Sequence, residues 1–181
     1  MTTSTSSTPT GASCWICLEE GPDEEGKPLI RNCSCRGQSG FSHVSCIIKY
    51  AQKKTLQLDE SKVTSGDYML GGPHWQPWKT CPNCNQDYNN ELLLELAESY
   101  LSFTKESAPY DSSSGIPSSL FPCDPLRYVD ALYHKLNVLS IFITVDTDMC
   151  ENAKELALTI ISLAQTIKAA NSMDRINVLL L

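Results

Sequence analysis

Between residues 14 and 84 the chain places seven cysteines and one histidine in four close pairs. Cys14 and Cys17 are followed after fifteen residues by Cys33 and Cys35, seven residues later by His43 and Cys46, and thirty-four residues after that by Cys81 and Cys84. Within each pair, one turn of backbone can aim two soft donors at a common point. Tetrahedral zinc requires such thiolate and imidazole donors in fours, at about 2.0–2.3 Å, and eight donors make two sets. The competing use of so many cysteines is a disulfide framework in a small secreted chain. That use does not fit. Residues 1–13 are mostly Ser and Thr, without the charged and apolar regions of a signal peptide, and a chain of 181 residues can fold without covalent staples. The pattern predicts a metal framework with donors enough for two tetrahedral zinc sites. No HExxH motif occurs, which argues against a metalloprotease.

Charge narrows the partners. The formal net charge is −7. Residues 14–90 hold eight basic and nine acidic side chains, and seven zinc-bound thiolates would make that region more negative still. No basic footprint for phosphates is present, so nucleic-acid binding is disfavoured. Nine cysteines leave Cys123 and Cys150 outside the pattern. An odd, zinc-spaced set suits a reducing compartment, cytoplasmic or nuclear. No segment reaches the ~18 uncharged apolar residues of a membrane span, so a soluble chain is expected.

The ligand order and the tight Cys33–Cys35 pair make the region similar to the RING-CH (RING-variant) zinc finger. Seven residues to His43, Cys46 three positions on, and the Arg36-Gly37 step carry the same resemblance. The PHD finger, a reader of histone tails, has the same ligand order. It usually has a wider third pair and an aromatic two positions before the seventh ligand, whereas Trp78 here lies three before Cys81. The RING-CH resemblance implies a small α+β cross-brace, with Cys14, Cys17, His43 and Cys46 on one zinc and Cys33, Cys35, Cys81 and Cys84 on the other. It also implies a surface for a ubiquitin-conjugating enzyme. Ile16, just before the second ligand, Tyr50, four residues after the sixth, and Pro82, after the seventh, occupy the family's contact positions. Two departures stand out: Tyr50 replaces a common tryptophan, and Asn85 follows the last ligand where active ligases often carry Arg or Lys.

Around these ligands, Pro28–Arg31 and Phe41–His43 read as short strands and Cys46–Gln57 as the finger's helix. Residues 53–78 read as a long loop-like insert containing Gly71-Gly72-Pro73. His74, inside it, reads as a loop residue and not a ligand. Trp78 resembles the aromatic that packs beside zinc in the family; Trp75 has no assigned role.

Beyond residue 90 the pattern is all-α. Leu93, Leu96, Ala97, Tyr100 and Leu101 form one helical face over 91–107, with Asn89 or Asn90 as its cap. Residues 108–124, rich in Pro, Gly and Ser, read as a linker. Asp124-Pro125 starts a second helix, with Val129, Leu132, Tyr133, Leu136, Ser140 and Ile143 on its face. Thr144–Asp148 breaks it, and Ala153, Leu156, Ala157, Ile160, Ala164 and Ile167 mark a further helix ending at Asn171-Ser172. Residues 125–181 thus read as a helical hairpin of tetratricopeptide-like pattern, short of the roughly three units such stacks need, with a third helix beginning at Met173. The expected function is that of a RING-type ubiquitin ligase whose helical half recruits a protein substrate. The alternative is a zinc-stabilised binding module without ligase activity, and a histone-tail reader built on Trp75 and Trp78 is the third.

Overall fold

A computed structural model describes residues 11–60, 74–107, 125–142 and 147–171. The expected linker, half of the insert (61–73) and the third helix lie outside the described residues, as do Cys123, Ile143 and the first ten residues of the tail. Helix α1 spans Val44–Glu60, α2 Gln76–Lys79, α3 Asn90–Ser107, α4 Pro125–Phe142 and α5 Thr147–Asn171. The described residues are mostly helical, and the helical segments follow the finger.

The finger has little regular sheet. In place of the two expected strands, one antiparallel bridge joins Ile30 to Ser42 through paired backbone bonds of 2.9 and 3.0 Å. A short 3-10 turn at Gly37–Gly40 precedes it. Gly40 is required there by close approach, since a Cβ would lie 2.8 Å from Arg31 Nε and 2.9 Å from the Cys35 carbonyl. The Arg31 guanidinium donates to that carbonyl at 2.8 Å and lies over the Phe41 ring, closing the loop between the second and third ligand pairs.

Helix α1 begins two residues earlier than the sequence pattern predicts and runs to Glu60, so the first eight residues assigned to the insert are helical. The remainder that is described, from His74 onward, turns into α2 and buries Trp75 and Trp78. The end of α1 is tied to α2 at Thr55. Its hydroxyl donates to the Ala51 carbonyl at 3.0 Å and accepts from the Trp78 indole at 3.0 Å, both in a buried setting. That part of α1 which overlaps the insert is therefore braced by tertiary contact.

The core is an aromatic stack shared by α2 and α3. Tyr100 lies 5.6 Å from Trp75 and 5.2 Å from Trp78, and Phe103 lies 5.7 Å from Trp78. Ile47 and Ala51 of α1 and Leu92, Leu93, Leu96 and Ala97 of α3 complete it. Asn89 caps α3, its side chain accepting from the Leu92 amide, while its own amide and side chain bond to Asn32 in the finger. The cap therefore also fixes the direction in which α3 leaves the zinc region.

The helices beyond the linker pack in chain order, α4 on α3 and α5 on α4. The sequence pattern gives α4 a single apolar face; it is buried on two. Val129 and Leu132 turn to α5, where Ile160 and Ala164 meet them. Ala131 and Val138 join the finger's core. Ser140, assigned to the face, is exposed. The second face has no apolar signature because it is polar in part: His134 is buried, stacked 4.4 Å from Trp75, and 3.2 Å from Asp130. Asp130 in turn accepts from Tyr100 Oη at 3.3 Å. Among the described residues, no helix is long and apolar enough to cross a membrane.

Candidate metal centre and partner surface

Two copies of one backbone device present the outer ligands. In the first, the Leu18 amide donates to the Cys14 carbonyl at 2.8 Å and the Cys14 amide to the Glu19 carbonyl at 2.9 Å. In the second, Asn85 donates to Cys81 and Cys81 to Gln86, both at 2.9 Å. Each loop is closed by a bridge, Ser13 to Glu20 and Thr80 to Asp87. Each also puts the residue after its second cysteine in the left-handed region, Leu18 at φ 67° and Asn85 at φ 55°. Asparagine tolerates that conformation; for a leucine it costs roughly 1 kcal/mol.

The knuckles meet the inner pairs to give two clusters, Cys14, Cys17, His43 and Cys46, and Cys33, Cys35, Cys81 and Cys84. Within each, the donor atoms all lie within 4.8 Å of one another. The first cluster thus takes the first pair with the third, and the second takes the second pair with the last, so the clusters interleave along the chain. Tetrahedral zinc with these ligands implies S···S near about 3.8 Å and N···S near about 3.6 Å. Cys35 Sγ and Cys81 Sγ are 3.7 Å apart, and His43 Nδ1 lies 3.5 Å from Cys17 Sγ and 3.7 Å from Cys46 Sγ. His43 Nε2 is 3.0 Å from the Gly21 carbonyl. Donation there leaves Nδ1 as the bare nitrogen facing the sulfurs, the tautomer a metal needs. The residues fit two zinc ions. When bound, zinc would cross-link distant segments and contribute folding free energy at closed sites.

The thiols show why a cation belongs there. Burial, and after it the charges of Cys14 and Cys17, push Cys46 up to about 12. Burial likewise raises Cys35, with its neighbouring thiols adding to the shift. Cys84 goes the other way. Burial opposes its ionisation, but backbone amides of Gln86 and Ser34 and the Cys35 and Cys81 thiols outweigh it and bring it to about 7. Three or four gathered thiols resist ionising together; a divalent ion at the centre makes thiolates the stable form.

The loop that carries Gly21 is held by Asp23, a residue the sequence pattern does not single out. Its carboxylate accepts from the Lys27 amide at 2.8 Å, the Glu25 amide at 3.1 Å and the Ser45 hydroxyl at 2.8 Å. The Ser45 bond, followed by the backbone amides, holds the Asp23 carboxyl below its usual range. That contribution is present above the unfolded value and is lost as pH falls through the folded one. Asp23→Ala should leave both clusters formed but weaken zinc retention at the His43 site by about tenfold, the scale of a lost outer partner. Competition with a chelator checks this, and unchanged retention would remove Asp23 from the support of the site.

His74 is outside both clusters and lies in the turn before α2, where it is buried. Trp75 and Trp78 are also buried, at 4% and 0% exposure, so they form no open aromatic cage for a histone tail. The assigned contact residues lie around the knuckles. Ile16 and Tyr50 are half-buried and Pro82 is exposed. Trp15 packs edge-on against Tyr50 with centroids 5.9 Å apart. Burial, then the nearby Cys81 charge, raises the Tyr50 phenol. Leu18 escapes the sequence pattern. It is 76% exposed, the most open large apolar side chain among the described residues. Its one signal in the sequence is the position directly after a second knuckle cysteine, shared with Asn85.

The RING-variant domain family matches residues 14–62. The chain is 25% identical over 76 residues to E3 ubiquitin-protein ligase MARCHF5 of Xenopus laevis, a match covering 42% of this chain and 21% of that protein. It is 35% identical over 52 residues to the ERAD-associated E3 ubiquitin-protein ligase DOA10 of Saccharomyces cerevisiae, covering 29% of this chain and 4% of that one. The chain thus spans about a fifth or less of the length of these relatives. No solved structure matches it significantly. The chain carries a RING-variant (RING-CH) domain, matched over residues 14–62, and its two four-donor clusters fit two zinc ions.

Proposed function

We propose that this chain acts as a RING-type ubiquitin ligase. The reading is supported most by an exposed, conformationally strained leucine, Leu18, on the zinc knuckle beside Ile16 and the Trp15–Tyr50 pair. Backbone strain concentrates at functional sites, which marks this leucine for partner contact. The two relatives above are named ubiquitin-protein ligases, and the RING-CH resemblance implies the partner's class, a ubiquitin-conjugating enzyme. No side chain of the finger would do covalent chemistry. The finger would hold a thioester-charged conjugating enzyme so that a lysine amine attacks the ubiquitin carbonyl and the enzyme's thiol leaves, which is catalysis by positioning. The helical half would bring the lysine. Asn85, bringing no positive charge after the last ligand, favours a second reading, a binding module without transfer activity.

The test is ubiquitin discharge to free lysine by the zinc-loaded full chain, across a panel of charged conjugating enzymes. Acceleration is expected with at least one, reduced roughly tenfold or more by Leu18→Ala or Ile16→Ala, the scale of an interface anchor, with zinc content unchanged. No acceleration with any enzyme from a chain holding two zincs would replace this reading with the binding module.

A further inference from the structure

A groove of about 400 Å³ lies across α4, between the early turns of α3 and those of α5. Leu94, Leu139 and Leu156 give it an apolar floor, one leucine from each helix. Glu98 stands on one rim and Glu155 on the other, with Lys135 between them on α4. Lys135 is 3.4 Å from Glu98, so the one cation of the lining is already paired within the groove. The surrounding helix ends are acidic beyond the lining itself. The first turns of α3 carry Glu91 and Glu95, and those of α5 carry Asp148 and Glu151. Lys135, Lys154 at 3.5 Å from Glu151 and Lys27 of the finger at 3.2 Å from Glu95 each pair with one of these carboxylates.

We infer that this groove binds a lysine-rich amphipathic segment of a protein partner, its apolar side chains on the three leucines and its cations along the glutamate rims. Charge decides between occupants: an acidic segment, or the same acidic face of a second copy, would be repelled. The floor decides that the occupant is not purely polar, because leucines covered by water gain nothing from a hydrophilic chain. The inference deepens the ligase reading and rests on it for its purpose. A groove that selects lysine-rich segments would gather acceptor amines on the same body as the finger, because α3 and the Trp75–His134 stack join the two.

The experiment measures binding of a short fluorescent peptide with leucines at i, i+3 and i+7 and lysines elsewhere to the zinc-loaded full chain. A peptide with glutamates in place of the lysines is the control. Binding of the lysine peptide is expected, falling with salt, with no binding of the glutamate peptide. Glu98→Gln with Glu155→Gln should weaken it roughly tenfold or more. Thr159→Trp, which fills the groove from an exposed position, should abolish it. Equal binding to all variants, comparable binding of the glutamate peptide, or self-association that Thr159→Trp removes would each overturn the inference. Discharge to free lysine is measured on the same proteins and should not change with these variants. Peptide binding without discharge by the parent chain would refute the ligase reading and leave the groove. Discharge without peptide binding would refute the groove alone.

Discussion

Cys35→Ser is expected to leave the purified chain with at most one zinc and an unfolded finger. Cys35 is buried in the second cluster, 3.7 Å from Cys81 across the site, and a serine hydroxyl neither reaches nor ionises as the thiolate does. A structural zinc site is worth on the order of 10 kcal/mol of folding free energy, as large as the whole stability of a typical domain. The effect should spread, because the second cluster holds the loop after Ile30 to the knuckle before α3. Loss of near-ultraviolet signal from Trp78 and Tyr100, which pack in the same core as Cys35 and Cys81, should accompany the loss of metal. Cys150→Ser is the matched control, since Cys150 is exposed on α5 and outside both clusters. Two zincs retained by both variants, counted by chelator displacement, would refute the ligand assignment.

Trp75→Ala should separate the helical half from the finger without releasing zinc. Trp75 is 4% exposed and touches both parts, with Tyr100 on one side and His134 on the other. Truncating a buried tryptophan costs about 3–5 kcal/mol. Here the loss also strands a buried imidazole and its Asp130 partner against a cavity. The zinc clusters do not use this side chain. Native-state hydrogen exchange is expected to show α4 and α5 losing protection while the knuckles and both metals stay. If α4 keeps its protection, the junction is held by other contacts and Trp75 is not its anchor.

The two metal clusters are legible in the sequence, because ligand chemistry and spacing are local facts. A C-x2-C knuckle carries its own turn, and its donor type does not depend on what lies across the fold. The α3 face is legible for the same kind of reason. Leu93, Leu96, Ala97 and Tyr100 recur at helical spacing, and all are buried. His134 is not legible. A single histidine on a face that is part polar carries no pattern, and its stack on Trp75 joins residues 59 positions apart. Leu18 is equally silent, since its exposure and its left-handed backbone are properties of the folded knuckle. The insert departs from its sequence pattern at its first end. Gly and Pro further along suggest a loop, while α1 runs into it to Glu60 and the Thr55–Trp78 hydrogen bond braces their overlap.

The sequence by itself determined which atoms would gather around metal and that helices would follow, since both rest on short-range chemistry: donor spacing, helical period and capping residues. Tertiary structure alone decided that α4 is buried on two sides, that the insert's tryptophans form the joint between finger and helices, and that three leucines share one acidic-rimmed groove. Those outcomes depend on contacts between segments far apart in the chain. Such contacts form where shape and polarity match in three dimensions, and no periodicity along one stretch of sequence encodes that match.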